Sequence, residues 1–236
     1  MTSPALAVRD LTKSYGTTAF GGDTEDRPAL SPLTLEVAPG ELVALVGHNG
    51  SGKTTFLRMV AGLVEPSGGS VAVHGEPRAS TTARAQLAYL SDQPTFYDDL
   101  SLREHLEYVA RMHGVTDWTE RAERLAAAVG LGDRLDQLPT TFSRGLRQKA
   151  AITLAFVRPF TLLLVDEPFV GLDAAGKAAL LELFDEAHAD GAALVVATHE
   201  LGFVTRADRL IALVDGVVTY DGSPGDTDVN QLVFHT

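Results

Sequence analysis

The sequence predicts an α/β domain with a helical segment inserted into its middle. Three observations carry that expectation. Short runs rich in valine and leucine alternate with helical patterns in the first and last thirds of the chain. Two of these runs, residues 162–165 (LLLV) and 193–197 (ALVVA), are apolar without interruption, as strands buried on both faces of a parallel sheet must be. Between about residues 95 and 158 the strand pattern stops and helix starts follow one another.

Taken in order, residues 5–11, 33–37 and 41–46 read as strands, with a Gly- and Asp-bearing loop at residues 16–28 between the first two. A helix is expected to follow Gly52, run through Leu57 and Val60, and stop near Gly62. Residues 70–73 form a further strand. Ser101 and Glu104 make a capping box for a helix that carries Leu102, Leu106, Val109 and Met112 at helical spacing and ends at Gly114. Asp117 and Glu120 repeat the pattern for a helix ending at Gly130, a natural residue just past a helix C-terminus. Another helix starts near Ser143 and must stop before Pro159. Residues 174–189 are helical, with Leu180, Leu183, Phe184 and Ala187 on one face. Residues 209–214 and 217–220 form a hairpin about Asp215-Gly216. The expected organisation is one domain over residues 1–236, with its core at about 1–94 and 159–236 and a helical subdomain at about 95–158.

Composition bounds the function. With 45% hydrophobic and 21% charged residues, the chain is ordinary globular material rather than a disordered segment. A chain of 236 residues buries roughly 70% of its unfolded surface. No cysteine is present, which excludes disulfide scaffolds, thiolate metal sites and thiol nucleophiles. A formal charge of −12 argues against binding nucleic acid and against direct adhesion to an anionic membrane, but leaves docking onto a membrane protein open. Apolar runs such as residues 150–157 fall far short of the ~18 residues of a membrane span, and the first ten residues do not read as a secretion signal. The expectation is a soluble, cytoplasmic domain.

Two motifs carry chemistry. Gly47-His48-Asn49-Gly50-Ser51-Gly52-Lys53-Thr54 fits G-x-x-x-x-G-K-[ST] throughout, after a strand and before a helix. Its glycines let consecutive backbone N–H groups face one concavity, and the helix N-terminus adds partial positive charge there. Lys53 is expected to reach the β- and γ-phosphates, and the Thr54 hydroxyl to ligate Mg²⁺. The second motif is the strand end Val165-Asp166-Glu167. Ligands of an open parallel sheet sit beyond its carboxyl ends, so Asp166 is placed to hold Mg²⁺ and Glu167 to polarise an attacking water.

Three further stretches narrow the reading. Asp166-Glu167-Pro168-Phe169-Val170-Gly171-Leu172-Asp173 is followed, after the next strand, by Ala197-Thr198-His199-Glu200. Upstream stands Phe142-Ser143-Arg144-Gly145-Leu146-Arg147-Gln148-Lys149. From Val8 to about Gly222 this resembles the ATP-binding subunit of ABC transporters.

That resemblance implies a P-loop NTPase core, RecA-like, on a mixed sheet with antiparallel strands towards its N-terminal part. It implies a head-to-tail dimer, homodimeric or with a similar subunit, that sandwiches two ATP molecules. Tyr15 is similar to the aromatic that stacks on adenine, and Thr55 joins residues 47–54 in holding the nucleotide. Glu167 resembles the catalytic glutamate, His199 the histidine that contacts the γ-phosphate, and Asp173 the residue linking the two sites. Ser143 and Gly145 resemble the signature residues that grip the γ-phosphate in the opposite subunit.

The usual Leu-Ser-Gly-Gly-Gln signature here reads Phe142-Ser143-Arg144-Gly145-Leu146, closer to the Tyr-Ser-Lys-Gly-Met form of ABC-2 type exporter ATPases. The family's loop glutamine, which senses Mg²⁺ and the membrane partner, is Gln93 by identity. Counted back from Tyr97, that register falls on Asp92. Gln93 is the expectation, as a catalytic and metal-site residue, because a carboxylate would add charge to an already acidic site. The implied partner is a separate membrane-spanning permease, met near Tyr97, Leu100 and Leu102, with no lipid insertion by this chain. A soluble ABC-type ATPase is the alternative, although its usual zinc fingers, coiled coil or second ATPase module are not seen.

Overall fold

The computed structural model describes residues 3–15 and 28–234. In chain order the elements are β1 (Leu6–Lys13), β2 (Leu30–Val37), β3 (Leu42–Val46), α1 (Lys53–Val60), β4 (Gly68–Val73), β5 (Glu76–Pro77), α2 (Thr81–Gln86), β6 (Leu87–Leu90), α3 (Leu102–Met112), α4 (Trp118–Ala128), α5 (Arg144–Phe156), β7 (Leu162–Asp166), α6 (Ala174–Ala189), β8 (Ala193–Ala197), α7 (Leu201–Val204), β9 (Arg209–Val214), β10 (Val217–Gly222) and α8 (Val229–Phe234). The loop expected at residues 16–28 lies, but for Pro28, outside the described residues. Among the described residues no helix is long and apolar enough to cross a membrane.

Every residue of β3, β7 and β8 is buried, and these strands form the centre of a six-stranded sheet ordered β10-β9-β3-β8-β7-β6. The pairings from β9 to β6 are parallel; only β10 runs antiparallel, as the second arm of the Asp215-Gly216 hairpin. Alternation along each strand divides the interior in two. Ala44, Val46, Leu163, Val165, Leu194 and Val196 face a core shared with α3 to α6. Val43, Leu45, Leu162, Leu164 and Val195 face the opposite core, shared with α1 and with the antiparallel sheet β2-β1-β4-β5.

The register of the parallel strands decides where chemistry can gather. All of their carboxyl ends leave the sheet along one edge. β3 delivers Gly47, β8 delivers Thr198 and His199, β7 ends on Asp166, and β6 delivers Ser91 and Asp92. Four separate stretches of sequence therefore converge on one line of adjacent strand ends.

The helical segment departs from expectation in one cap. Ser101 accepts the Glu104 N–H while Glu104 accepts from Ser101, so the box there is complete. Asp117 makes no such bond: its φ of −101° and ψ of 43° lie outside the extended region that N-caps normally adopt, so its pairing with Glu120 does not form a box. The pair α2 and β6 was not foreseen. Helix α2 has only six residues, is started by Ser80 accepting from the Ala83 N–H, and passes straight into β6 without a Gly or Pro to mark the change.

Candidate active site

Residues 47–54 form a loop whose shape depends on glycine. Gly47 has φ 147°, and a Cβ there would collide with the Leu213 carbonyl of the neighbouring strand. The loop closes through Ser51 N–H to His48 O (3.1 Å), and α1 begins with Phe56 N–H to Gly52 O (2.8 Å). Gly52, the N-cap, offers no side chain to the first N–H groups of α1, so these are left for an outside acceptor. His48 turns sideways, with Nε2 3.3 Å from Asp215. Asn49, Gly50, Ser51, Gly52, Thr54 and Thr55 line a cleft of about 220 Å³.

Lys53 is buried, and its Nζ donates to the Gly47 (2.6 Å) and His48 (3.2 Å) carbonyls. Burial lowers its pKa, and the charges of Glu167 and Asp166 act in the opposite sense. The ammonium thus rests folded on its own loop, within reach of the cleft it lines.

Asp166 is 0% exposed, and neither carboxylate oxygen has a hydrogen-bond partner. Burial pushes its pKa up to about 6; Asp92 and Glu167 push the same way, while the nearby Thr54 hydroxyl and Arg58 oppose. Thr54 is close enough to act on that charge but not in hydrogen-bonding geometry, so the two oxygens remain unsatisfied. An unpaired buried carboxylate costs free energy. A hard cation accepting both an Asp and a Thr oxygen would remove that cost, so the donor set fits Mg²⁺.

Glu167 lies one residue further on, in the left-handed region at φ 45°, its N–H donating to Ala197 O (2.9 Å). A non-glycine residue there is strained, and the β8 hydrogen bond holds it. His199 Nδ1 stands 2.9 Å from Glu167 Oε2, with the imidazole largely exposed. The structure therefore brings the phosphate loop, Asp166, Glu167 and His199 together.

Gln93 departs from expectation. Its side chain is exposed, donating to Asp92 Oδ2 at 3.3 Å, and it is Asp92 that lines the phosphate cleft. The objection to a carboxylate there was its charge; Arg58, 3.4 Å from Asp92, offsets it. Neither Arg58 nor its pairing was foreseen, since nothing about an arginine within an amphipathic helix announces a partner 34 residues away.

Ser143, Gly145 and Asp173 form a second cluster. Exposed Ser143 caps α5 through the Leu146 N–H (3.4 Å). Gly145 packs so closely that a Cβ would stand 2.5 Å from the Gly171 carbonyl. Asp173 caps α6 through Gly176 N–H (2.8 Å) and pairs with Lys149 at 2.9 Å, which lowers its pKa, Lys149 being the larger cause. Gln148 donates to Pro168 O beside Glu167. Among the described residues no hydrogen bond or ion pair joins Ser143, Gly145 or Asp173 to residues 47–55. Lys149 stands in the signature stretch with no expected role; only its burial and its pairing with Asp173 mark it as special. Tyr15 is 53% exposed beyond the end of β1, its ring 5.0 Å below the Lys13 ammonium.

Comparison with known proteins is consistent with this arrangement. The family model described as ABC transporter matches residues 30–170. The ABC-type transporter ATP-binding protein EcsA of Bacillus subtilis (strain 168) is 36% identical over 223 residues, covering 92% of this chain and 87% of EcsA. The SkfA peptide export ATP-binding protein SkfE of the same organism is 34% identical, with 92% and 88% covered. The macrolide export ATP-binding/permease protein MacB of Hyphomonas neptunium is 32% identical over 94% of this chain, which spans only 35% of MacB. A solved ATP binding subunit of an ABC transporter superposes with a TM-score of 0.85 at 35% identity, covering 94% of this chain and 91% of that one. A dimeric ATP-binding cassette in a post-hydrolysis state, bound to ADP and Pi, shares the fold at a TM-score of 0.82 and 24% identity, covering 92% and 98%.

Proposed function

Because this chain belongs to the ABC transporter family of ATP-binding proteins, we propose that it is the ATP-hydrolysing subunit of a membrane exporter, working on the cytoplasmic face through a separate permease. The observation that carries the chemistry is Asp166: a fully buried carboxylate with two unsatisfied oxygens, next to a phosphate loop and to Thr54. Among the described residues no three His, Asp or Glu side chains are spaced to hold a metal alone. That suits a cation shared with substrate phosphates, the usual habit of Mg²⁺.

In this reading, residues 47–55 cradle the phosphates of ATP while Tyr15 stacks on the adenine. Thr54 and Asp166 would hold Mg²⁺, which when bound would supply neutralising charge to the phosphates. Lys53 leaves the Gly47 and His48 carbonyls for the phosphate oxygens. Glu167 accepts a proton from the attacking water, and His199 orients Glu167 and the γ-phosphate. Ser143 and Gly145 act on the nucleotide of the opposite subunit, and Asp173 lies between the two sites. These residues mainly position and neutralise, which is most of what phosphoryl transfer asks of a protein. Asp92 takes the place beside the metal site that Gln93 was expected to hold. The exporter direction rests on the Arg144/Leu146 signature and on the export named for SkfE and MacB.

The test uses Glu167→Gln, tagged and purified from its own cells in mild detergent with ATP and Mg²⁺. We expect nucleotide binding to persist, hydrolysis to fall by about a hundredfold or more, and a multi-spanning protein to co-purify stoichiometrically. Unchanged turnover would remove Glu167 as the base. A soluble partner, or none, would leave an ATPase without transport.

A further inference from the structure

Lysine is scarce in this chain. Of its 19 lysines and arginines only four are lysines: Lys13, Lys53, Lys149 and Lys177. Three have a place in the regions already described. Lys13 stands over Tyr15, Lys53 lies in the phosphate loop, and Lys149 pairs with Asp173. Lys177 is left over. It donates to Glu200 Oε2 at 3.0 Å, and Glu200 directly follows His199. Both partners sit against local preference. Lys177 lies near the start of α6, where the helix dipole disfavours a cation. Glu200 is the N-cap of α7, yet its carboxylate takes none of the free N–H groups there and turns to α6 instead. Forming the two helices does not explain the pair. Nor does stability, since a half-exposed pair of this kind contributes little.

What the pair joins is the turn carrying His199 and the start of α6. The backbone before His199 is fixed by Thr198 N–H donating to Leu45 O (3.1 Å). The buried Thr198 hydroxyl oxygen accepts the Glu200 N–H (3.0 Å), and Phe203 anchors α7 in the core. The His199 imidazole is mostly exposed, and among the described residues its one polar partner is Glu167. On the other side, the Lys177 N–H donates to Asp173 O (2.9 Å), and the Asp173 carboxylate pairs with Lys149 of α5. A continuous series of contacts, Lys149–Asp173–Lys177–Glu200, thus runs from the helix capped by Ser143 to the residue beside His199.

We propose that Lys177 is a positioning residue for hydrolysis: by holding Glu200 it fixes the turn from which His199 reaches Glu167, and it ties that turn to α6 at Asp173. The inference rests on the ATP-hydrolysing reading above and adds a residue to it. Among the described residues Lys177 makes no hydrogen bond or ion pair with residues 47–55, Asp166 or Glu167. Its effect therefore passes through Glu200 and His199. A base and the group that orients it must be held closely to be of use, so loss of the pair acts on turnover and spares nucleotide binding.

The test measures steady-state ATP hydrolysis by the full chain at concentrations that support the dimer. Lys177→Met is expected to lower kcat by about tenfold, with KM for ATP within about twofold and the urea midpoint little moved. Glu200→Met should do the same, and the double variant should be no worse than either, because each removes one shared contact. Lys177→Arg recovers most of the rate, and Lys177→Glu combined with Glu200→Lys recovers part of it. The second readout is the ¹⁵N imidazole spectrum of the seven histidines. The His199 signals, assigned by their loss in His199→Gln, are expected to shift in Lys177→Met while those of the other histidines stay in place. Unchanged kcat, additive losses in the double variant, a urea midpoint falling in step with kcat, or unmoved His199 signals would each overturn the inference. The ATP-hydrolysing reading survives those outcomes, and falls only if the unmodified chain itself does not turn over ATP. Should Lys177→Met fail to fold, Glu200→Met reads the same contact from its other end.

Discussion

The phosphate cleft and the signature cluster are both polar and both sit beside the same sheet, yet they are finished to different degrees. In the cleft the groups are unsatisfied or provisionally satisfied: Asp166 has no partner, Lys53 rests on its own loop, and the α1 N-terminus has no side-chain cap. In the signature cluster the bonds are closed within the chain. Ser143 holds Leu146, Lys149 holds Asp173, and Asp173 also caps α6. On the proposed reading, the difference separates two ways of meeting ATP. A site that must take up phosphates and a cation keeps its valences open and bears the strain of doing so. A surface that must press on a nucleotide from outside is better made rigid beforehand.

Asp166 offers the largest test of that contrast. Its pKa is raised from 3.8 to about 6 in the folded chain, so between those values the folded state binds more protons than the unfolded one. The stability is fully present below pH ~4 and is lost as pH rises through about 6, by about 3 kcal/mol at the upper end. Urea titrations of nucleotide-free protein across pH 4–7 are expected to show this decline. Asp166→Asn should abolish the slope and also lower hydrolysis by about a hundredfold or more. A flat profile in the unmodified chain would mean that Asp166 is satisfied after all, and the contrast between the two clusters would fail.

Lys149 probes the closed cluster, with a smaller effect. Lys149→Met removes the tie between α5 and the Asp173 turn, while the phosphate loop is untouched. ATP affinity of the isolated chain is expected to stay within about twofold, and hydrolysis at concentrations that support the dimer to fall by about tenfold, since only the positioning of a group acting from outside is disturbed. Equal losses in affinity and turnover would show that the two clusters are one site and not two.

How much of this could be read in the sequence follows from how local each cause is. The buried strands, the phosphate loop and the helix at residues 174–189 were legible because their signals lie within a single stretch: continuous apolar runs, fixed glycines, one amphipathic face. The α2–β6 junction was missed because six helical residues carry less than two turns of pattern and no punctuation follows. Asp117 matched a cap by composition, but its backbone conformation is set by the packing of Trp118 and Ala122 into the core. Asp92 was passed over for Gln93 because its compensating charge, Arg58, is brought near only by β6 lying beside β7. Lys149 was invisible as a special residue for the same reason: a charge is notable only once its burial and its partners are known.

The smallest test bears on that last substitution. Asp92 lies near enough to raise the pKa of Asp166, whereas Arg58 lowers it and is itself partly engaged by Asp92. Asp92→Asn removes the first influence and releases Arg58 to strengthen the second, so both changes move Asp166 downward. The fall of stability with pH should then end at a lower pH and have a smaller total size, an effect of well under the full amplitude seen for Asp166→Asn. Gln93→Ala, altering an exposed amide that donates only to Asp92 Oδ2 at 3.3 Å, should leave the profile nearly in place. Were Gln93→Ala to shift the curve as much as Asp92→Asn, the glutamine would be the residue facing the metal site, and the open cleft would contain two carboxylates at its strand ends instead of three.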